Sequence, residues 1–348
     1  MKKTLIFTGF LALVMVVSGC GTQPQATTNF ALRGILRTDD GGSSWNPAAS
    51  SEANKNVLLV DTLALEIDPV NGAVFVGTEK DGLFRSTDKG ESWTRLGLSV
   101  TKVYGVSVNR QGNGTIYASG VLNGRGKIFK STNDGQEWKE IYTEPADGTV
   151  FTALRAGRND SQLVLAGTAQ GMIIKSTDGG QTWKNIIKAD GPVISIAFDT
   201  TNPKIAYVAL FDEGVLVTED AGETFQDVTD AMDEADLGSA VFNLVADDRE
   251  SGAFYVGLQD GLVKATERGK KFVKLNTFES TNKYPARAIG IDPTNSEEII
   301  YNVAQAVYRS ADGGNSWSSF QLDTDRTGYV MRFDPSRTGV VYLGLRSL

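Results

Sequence analysis

Ser86-Thr87-Asp88-Lys89-Gly90-Glu91-Ser92-Trp93 is one of seven copies of a short motif, Ser/Thr-x-Asp-x-Gly-x-x-Trp/Phe, and the spacing of the copies sets the fold. The other clean copies are Thr38-Asp40-Gly42-Trp45, Ser176-Asp178-Gly180-Trp183, Thr218-Asp220-Gly222-Phe225 and Ser310-Asp312-Gly314-Trp317. Two are degenerate, Ser131-Asn133-Gly135-Trp138 and Ala265-Glu267-Gly269-Phe272. Successive final aromatics lie 48, 45, 45, 42, 47 and 45 residues apart, and all five tryptophans of the chain occupy that one position. A fixed period of this length marks a repeat architecture whose unit is four strands long.

Within the motif a Ser/Thr hydroxyl and an Asp carboxylate accept backbone N–H bonds in a tight turn, and Gly supplies a positive φ. The aromatic opens the next strand and packs on its own hairpin. Asp40, Asp88, Asn133, Asp178, Asp220 and Asp312, with Trp45, Trp93, Trp138, Trp183, Phe225, Phe272 and Trp317, are therefore read as turn and packing residues, not as ligand groups. Asn133 keeps an acceptor, so that copy survives. Ala265 has no hydroxyl and Glu267 is one methylene too long, which predicts a looser turn there.

Between the motifs each repeat reads alike. An inner strand such as Leu63–Ile67 ends in a turn at Asp68, with counterparts at Asn109, Gly157, Asp199, Asp247, Asp292 and Asp334. A second strand carries an aromatic or leucine in register: Phe75, Tyr117, Leu165, Tyr207, Tyr255, Tyr301 and Tyr342. Apolar residues alternate before every turn, the period of two expected of strands. The ends are complementary. Gly34 to Trp45 has third- and fourth-strand character alone, and Tyr329 to Leu345 has first- and second-strand character alone. Six full repeats lie between them. The expected fold is all-β: a single seven-bladed β-propeller of four-stranded antiparallel blades, its closing blade shared between N- and C-terminal strands, which removes an exposed edge.

Composition narrows the chemistry. The chain has 348 residues, a formal charge of −8 and no histidine, which excludes His-based acid/base relays, Ser/His/Asp triads and imidazole metal sites. Any metal would be held by oxygens, and the expectation is that there is no metal and no cofactor. The acidic balance argues against nucleic acid, whose phosphates require a basic surface.

The N-terminus reads as an export leader. Lys2 and Lys3 precede an apolar run from Leu5 to Val17, short for a membrane span. Val17-Ser18-Gly19-Cys20 resembles the bacterial lipobox, in which the cysteine is diacylated and becomes the mature first residue. Cys20 is the only cysteine of the chain. This resemblance implies a leader over residues 1–19, a lipidated polar tether over 20–29 and a propeller over 30–348. It also implies an exported protein held at the cell membrane or outer membrane through its lipid only, with no disulfides. Loss of Lys2 and Lys3 with the leader takes the formal charge from −8 to −10.

The seven-copy motif resembles the Asp-box, or bacterial neuraminidase repeat, of sialidases, xyloglucan-active glycosidases, sortilin-type receptors and photosystem II assembly factors. The resemblance spans residues 30–348 and speaks to fold, not to chemistry. A sialidase reading lacks the family's Arg-Ile-Pro signature, and those enzymes are usually six-bladed. Xyloglucan-active enzymes resemble two facing propellers, and sortilin-type receptors carry cysteine-rich modules that this chain lacks. The assembly-factor class fits a single propeller behind an export signal, and implies a non-catalytic scaffold, monomeric, that binds an envelope or membrane protein. A glycan-binding or glycoside-hydrolysing propeller is the alternative.

Candidate binding residues at the channel mouth are Tyr104, Arg155, Arg287, Tyr329 and Arg332. Clustered guanidinium groups match a carboxylate bidentately. Ion pairing is the plainer reading of Arg332, which lies two residues before its turn, as Glu66 does in the adjoining blade. No pair of glycosidase carboxylates can be picked out of the acidic residues. The stretch from Asp227 to Ser239 reads as an acidic surface loop, with capping of the channel or cation binding as alternatives. Together with Asp212-Glu213 and Asp260, it predicts a negative binding face suited to a basic partner or cation.

Overall fold

The computed structural model describes residues 32–49, 57, 59–158, 160, 162–277 and 284–347; the expected leader, Cys20 and the expected tether lie outside these residues. Seven four-stranded antiparallel sheets make up the domain. Blade 1 spans residues 62–95, blade 2 103–143, blade 3 151–188, blade 4 193–227, blade 5 241–274 and blade 6 288–321. Their innermost strands touch in a closed cycle that returns from Thr327–Phe333 to Thr62–Ile67. Blade 7 is the composite that the half-repeats predict. Its order is Asn46–Pro47, Ile35–Thr38, Val341–Arg346, Thr327–Phe333. Leu36 pairs with Leu343 and Thr38 with Val341, and none of Leu36, Leu343 and Val341 is exposed at all. The two chain ends thus complete one sheet, and the ring has no free inner edge.

The blades are glued by their second strands. Tyr117, Tyr207, Tyr255, Tyr301, Tyr342 and Phe75 are among the largest fully buried side chains, each worth roughly 1.5–3 kcal/mol of apolar burial. One position in the same strands must be small. A Cβ on Gly167 would lie 2.2 Å from Cγ1 of Val193, and one on Gly257 would lie 2.0 Å from the carbonyl oxygen of Ala286. These glycines let the next blade's innermost strand lie against the sheet.

The inner turns are closed by their own carboxylates. Asp68, Asp199, Asp247, Asp292 and Asp334 each accept a bond from the backbone N–H two residues on, at 2.7–2.9 Å. The outer turns are closed by the repeated motif. Ser86 Oγ accepts the Gly90 N–H at 2.7 Å and donates to Asp88 Oδ1, which accepts the Ser92 N–H at 2.8 Å. Asn133 substitutes for the carboxylate, accepting the Glu137 N–H at 2.9 Å. Trp93 Nε1 donates to the carbonyls of Ala48 (2.7 Å) and Gly90 (3.1 Å), tying blade 1 to blade 7.

Two expectations are corrected. The Ala265 turn is tighter, not looser. Its ladder runs on to Thr266 paired with Lys271, Glu267 and Arg268 take φ of +51° and +62°, and the Thr266 carbonyl accepts the Gly269 N–H at 3.1 Å. Without a hydroxyl to cap it, the backbone closes the turn itself. The acidic stretch after Asp227 contains a short helix, Thr229–Glu234, because Met232 plugs the core between blades 4 and 5 and is wholly buried. Asp230, Asp233, Glu234 and Asp236 face solvent, and no group of three metal-ligating side chains converges among the described residues. No helix among them is long and apolar enough to cross a membrane.

Candidate functional site

Each innermost strand delivers side chains to the central channel at fixed distances from its turn, so the site is a stack of rings. Five residues before the turn stand Leu63, Tyr104, Thr152, Ile194, Phe242, Arg287 and Tyr329, which together line an upper cavity of about 210 Å³. The backbone explains why they point inward. In six blades the ladder to the second strand skips this residue, between Thr62 and Ala64, Val103 and Gly105, Phe151 and Ala153, Val193 and Ser195, Val241 and Asn243, and Gly328 and Val330. A bulge repeated at one register re-aims one side chain per blade toward the axis. Arg287 stands at the same level, just before the strand Ala288–Asp292.

The mouth of this cavity pairs aromatics with cations. The Arg287 guanidinium lies 4.9 Å from the Phe242 ring centre, Arg346 lies 4.9 Å from that of Tyr329, and the Lys102 ammonium lies 5.2 Å from that of Tyr104. Phe211 stands edge-on to Phe242 and is 37% exposed. Burial pushes the Arg287 pKa down, and no carboxylate pairs with it among the described residues. Part of the expected acidic face is neutralised, Glu79 by Lys102 and Arg346, Asp61 by Arg326 and Asp260 by Lys274. Asp212, Glu213, Asp230, Asp233 and Glu234 stay exposed, with no ion pair among the described residues. Among the described residues, no aspartate or glutamate lines the upper cavity.

Two residues before the turn the ring reads Glu66, Ser107, Arg155, Ala197, Val245, Gly290, Arg332. The small residues leave room for both arginines to reach one carboxylate. Arg155 Nη1 donates to Glu66 Oε2 at 2.6 Å, and Arg332 Nε lies 3.6 Å from the same oxygen. Burial opposes the Glu66 charge, but Arg155, Arg332 and Arg110 together hold its pKa below the usual carboxylate value. Burial and the facing Arg155 push Arg332 down to about 10.

One residue past the turn stand Arg110, Arg158 and Asp248, the lower end of the channel. Arg158 grips Asp248 bidentately at 2.5 and 2.8 Å. All five residues singled out from sequence thus line the upper cavity, while Arg155 and Arg332 also line the lower one. Arg110, Arg158, Asp248, Phe211 and Phe242 escaped the sequence reading. The register relative to the turn, already visible at Asn109, Gly157 and Asp247, was the signal that would have placed the first three.

The fold is a seven-bladed β-propeller with a repeated box in its outer turns, and it is similar to photosystem II assembly factor and GH74 propellers. Residues 30–164 match the family model described as Photosynthesis system II assembly factor YCF48. Among solved structures, a GH74 enzyme from Niastella koreensis aligns with a TM-score of 0.67 at 19% identity, covering 82% of this chain and 51% of the enzyme. The chain therefore spans about half the length of that enzyme. YCF48 bound to D1 peptide aligns with a TM-score of 0.61 at 14% identity, covering 83% of this chain and 93% of the other. YCF48 from Cyanidioschyzon merolae aligns at 0.59 and 15% identity, covering 82% and 95%. These identities speak to the fold. No curated protein sequence matches the chain.

Proposed function

We propose that this chain is a non-catalytic scaffold, lipid-anchored through Cys20 in the cell envelope, whose upper cavity seats an extended segment of a membrane protein partner. The observation that carries this reading is the bulged ring of Tyr104, Phe242, Arg287 and Tyr329, with Phe211 beside it. Half-buried aromatics each backed by a cation, and one guanidinium with no carboxylate of its own, suit a peptide's apolar side chains and an acidic group or chain terminus. A propeller of this kind has been seen holding a peptide, the D1 segment bound to YCF48. The lipid anchor rests on the sequence around Cys20, and it would hold the propeller against the membrane where such partners lie.

The alternative is a glycan-active propeller, favoured by the likeness to GH74 enzymes. Two-carboxylate hydrolysis needs a facing acid pair. Among the described residues the upper cavity is lined by none, and the two carboxylates of the lower cavity, Glu66 and Asp248, are held by Arg155 and Arg158. Sugar binding by the aromatic mouth stays open to test.

The test is affinity capture with the tagged full-length chain from solubilised membranes, wild type against an Arg287→Ala/Tyr329→Ala double variant. The expected result is a membrane protein retained by wild type and depleted at least about tenfold by the variant, since anchors of this type each carry over 1 kcal/mol. A synthetic segment of that protein then displaces it. Equal recovery by both forms, or retention of β-glucan oligosaccharides in place of protein, overturns the proposal.

A further inference from the structure

The lower cavity, at the opposite end of the channel from the partner site, is about 130 Å³ in volume and carries an unbalanced charge. Four guanidinium groups line it, Arg110, Arg155, Arg158 and Arg332, against two carboxylates, Glu66 and Asp248. Arg158 is committed to Asp248, and Arg155 and Arg332 share Glu66. Arg110 makes no hydrogen bond or ion pair with any described residue. The turn carboxylates lie outside the cavity. Asp68, Asp199, Asp247, Asp292 and Asp334 accept backbone N–H bonds in their own turns, and none of them lines the cavity.

We infer that this cavity is a binding site for a small divalent oxyanion of the phosphate type, held by Arg110 together with the outward donors of Arg158 and Arg332. Charge, shape and medium agree on that class. Two positive charges are left over, matching one dianion. Planar guanidinium forks suit tetrahedral oxyanions. Ile67, Phe198, Ile291, Met331 and Phe333 wall the space with apolar surface, where a charged bond weakens less than in water. The volume corresponds to about four waters, room for a phosphate and little more, so a larger ester does not enter. Burial and the facing Arg158 and Arg155 push the Arg110 pKa down, the mark of a cation placed among like charges.

The experiment titrates inorganic phosphate into the purified full-length chain in detergent, at constant ionic strength against chloride, and reads heat and the 31P NMR signal. Wild type is expected to bind one phosphate saturably, with sulfate competing and acetate not. Arg110→Gln loses affinity by about 10- to 100-fold, the effect of removing one charge-assisted bond. Its melting temperature without phosphate is no lower than that of wild type, because the lost side chain makes no hydrogen bond, and its burial among Arg158 and Arg155 outweighs its attraction to Glu66 and Asp248. Arg110→Lys keeps the charge, loses the fork and falls between the two. Arg287→Gln, which alters only the upper cavity, binds phosphate within twofold of wild type. Absence of saturable binding, equal binding by Arg110→Gln, equal competition by acetate, or loss in Arg287→Gln overturns the assignment.

Discussion

Glu66→Gln removes the carboxylate on which two blades converge from opposite sides of the channel. The oxygen that accepts Arg155 Nη1 at 2.6 Å also faces Arg332 Nε at 3.6 Å, and Glu66 is only 6% exposed. One such charge pair at about 4 Å is worth ~4 kcal/mol at an effective dielectric of about 20. Two pairs double that attraction, and the desolvation of three charged groups takes much of it back. Breaking a buried pair by neutralising one member costs about 3–5 kcal/mol, because the remaining charges stay buried and unpaired. At about 2 °C per kcal/mol for a chain of this size, the variant melts some 6–10 °C below wild type at pH 7. The pH dependence carries a sign. The folded pKa of Glu66 is depressed, so its contribution is fully present above the unfolded value near 4.3 and is lost as pH falls through the folded value. The gap between wild type and variant therefore holds constant from pH 8 to about 5 and narrows below about 4. Thermal melts followed by far-ultraviolet circular dichroism at each pH read both quantities. A drop under 2 °C at pH 7, or a gap that does not narrow in acid, refutes the reasoning.

Ser86→Ala strips the buried acceptor of the Gly90 N–H and costs about 1–3 kcal/mol in denaturant unfolding, whereas Ala265→Ser gains nothing because the Gly269 N–H already has a carbonyl partner. Gly167→Ala drives a Cβ to 2.2 Å from Val193 and forces blades 3 and 4 apart, with a loss of about 1–3 kcal/mol or more by the same assay. The Asp40 carboxyl is held down at about 2, chiefly by the Ser44 hydroxyl, with burial opposing and the Thr38 hydroxyl and the Ser44 and Ser43 backbone N–H groups adding to it. Its side-chain carbon is expected to titrate there by NMR, the box bonds persisting below the unfolded value near 3.9 and breaking as pH falls through about 2.

Much of this molecule is written at a fixed register, and that part is legible from sequence. The outer turns announce themselves because Ser86, Asp88 and Gly90 act on one another within five residues, and the second-strand aromatics because Tyr117 and Tyr207 recur at one offset. The closing blade follows from two half-repeats that have no other partner. Even the Glu66–Arg332 contact is readable, since both sit at one offset in adjoining blades. Arg155 is different. It reaches Glu66 past blade 2, and only because that blade offers Ser107 at the shared level. Such a contact depends on what a third strand lacks. Phe242 was missed for a related reason: alternation along a regular strand sends every second side chain inward, and a bulge breaks that alternation without leaving a mark in composition. The helix at Thr229–Glu234 rests on one apolar residue, Met232, too little for a periodic signal.

A photo-crosslinking amino acid placed in the living cell at Phe211, beside the upper cavity, and separately at Val70, exposed at an inner turn on the opposite face, asks which end of the ring meets a partner. If the propeller is a scaffold that works through its upper mouth, the Phe211 position yields a discrete adduct with a membrane protein, the Val70 position does not, and Arg287→Ala abolishes the adduct. Adducts from Val70 alone, or from neither position, would show that the upper cavity is not where this protein meets another.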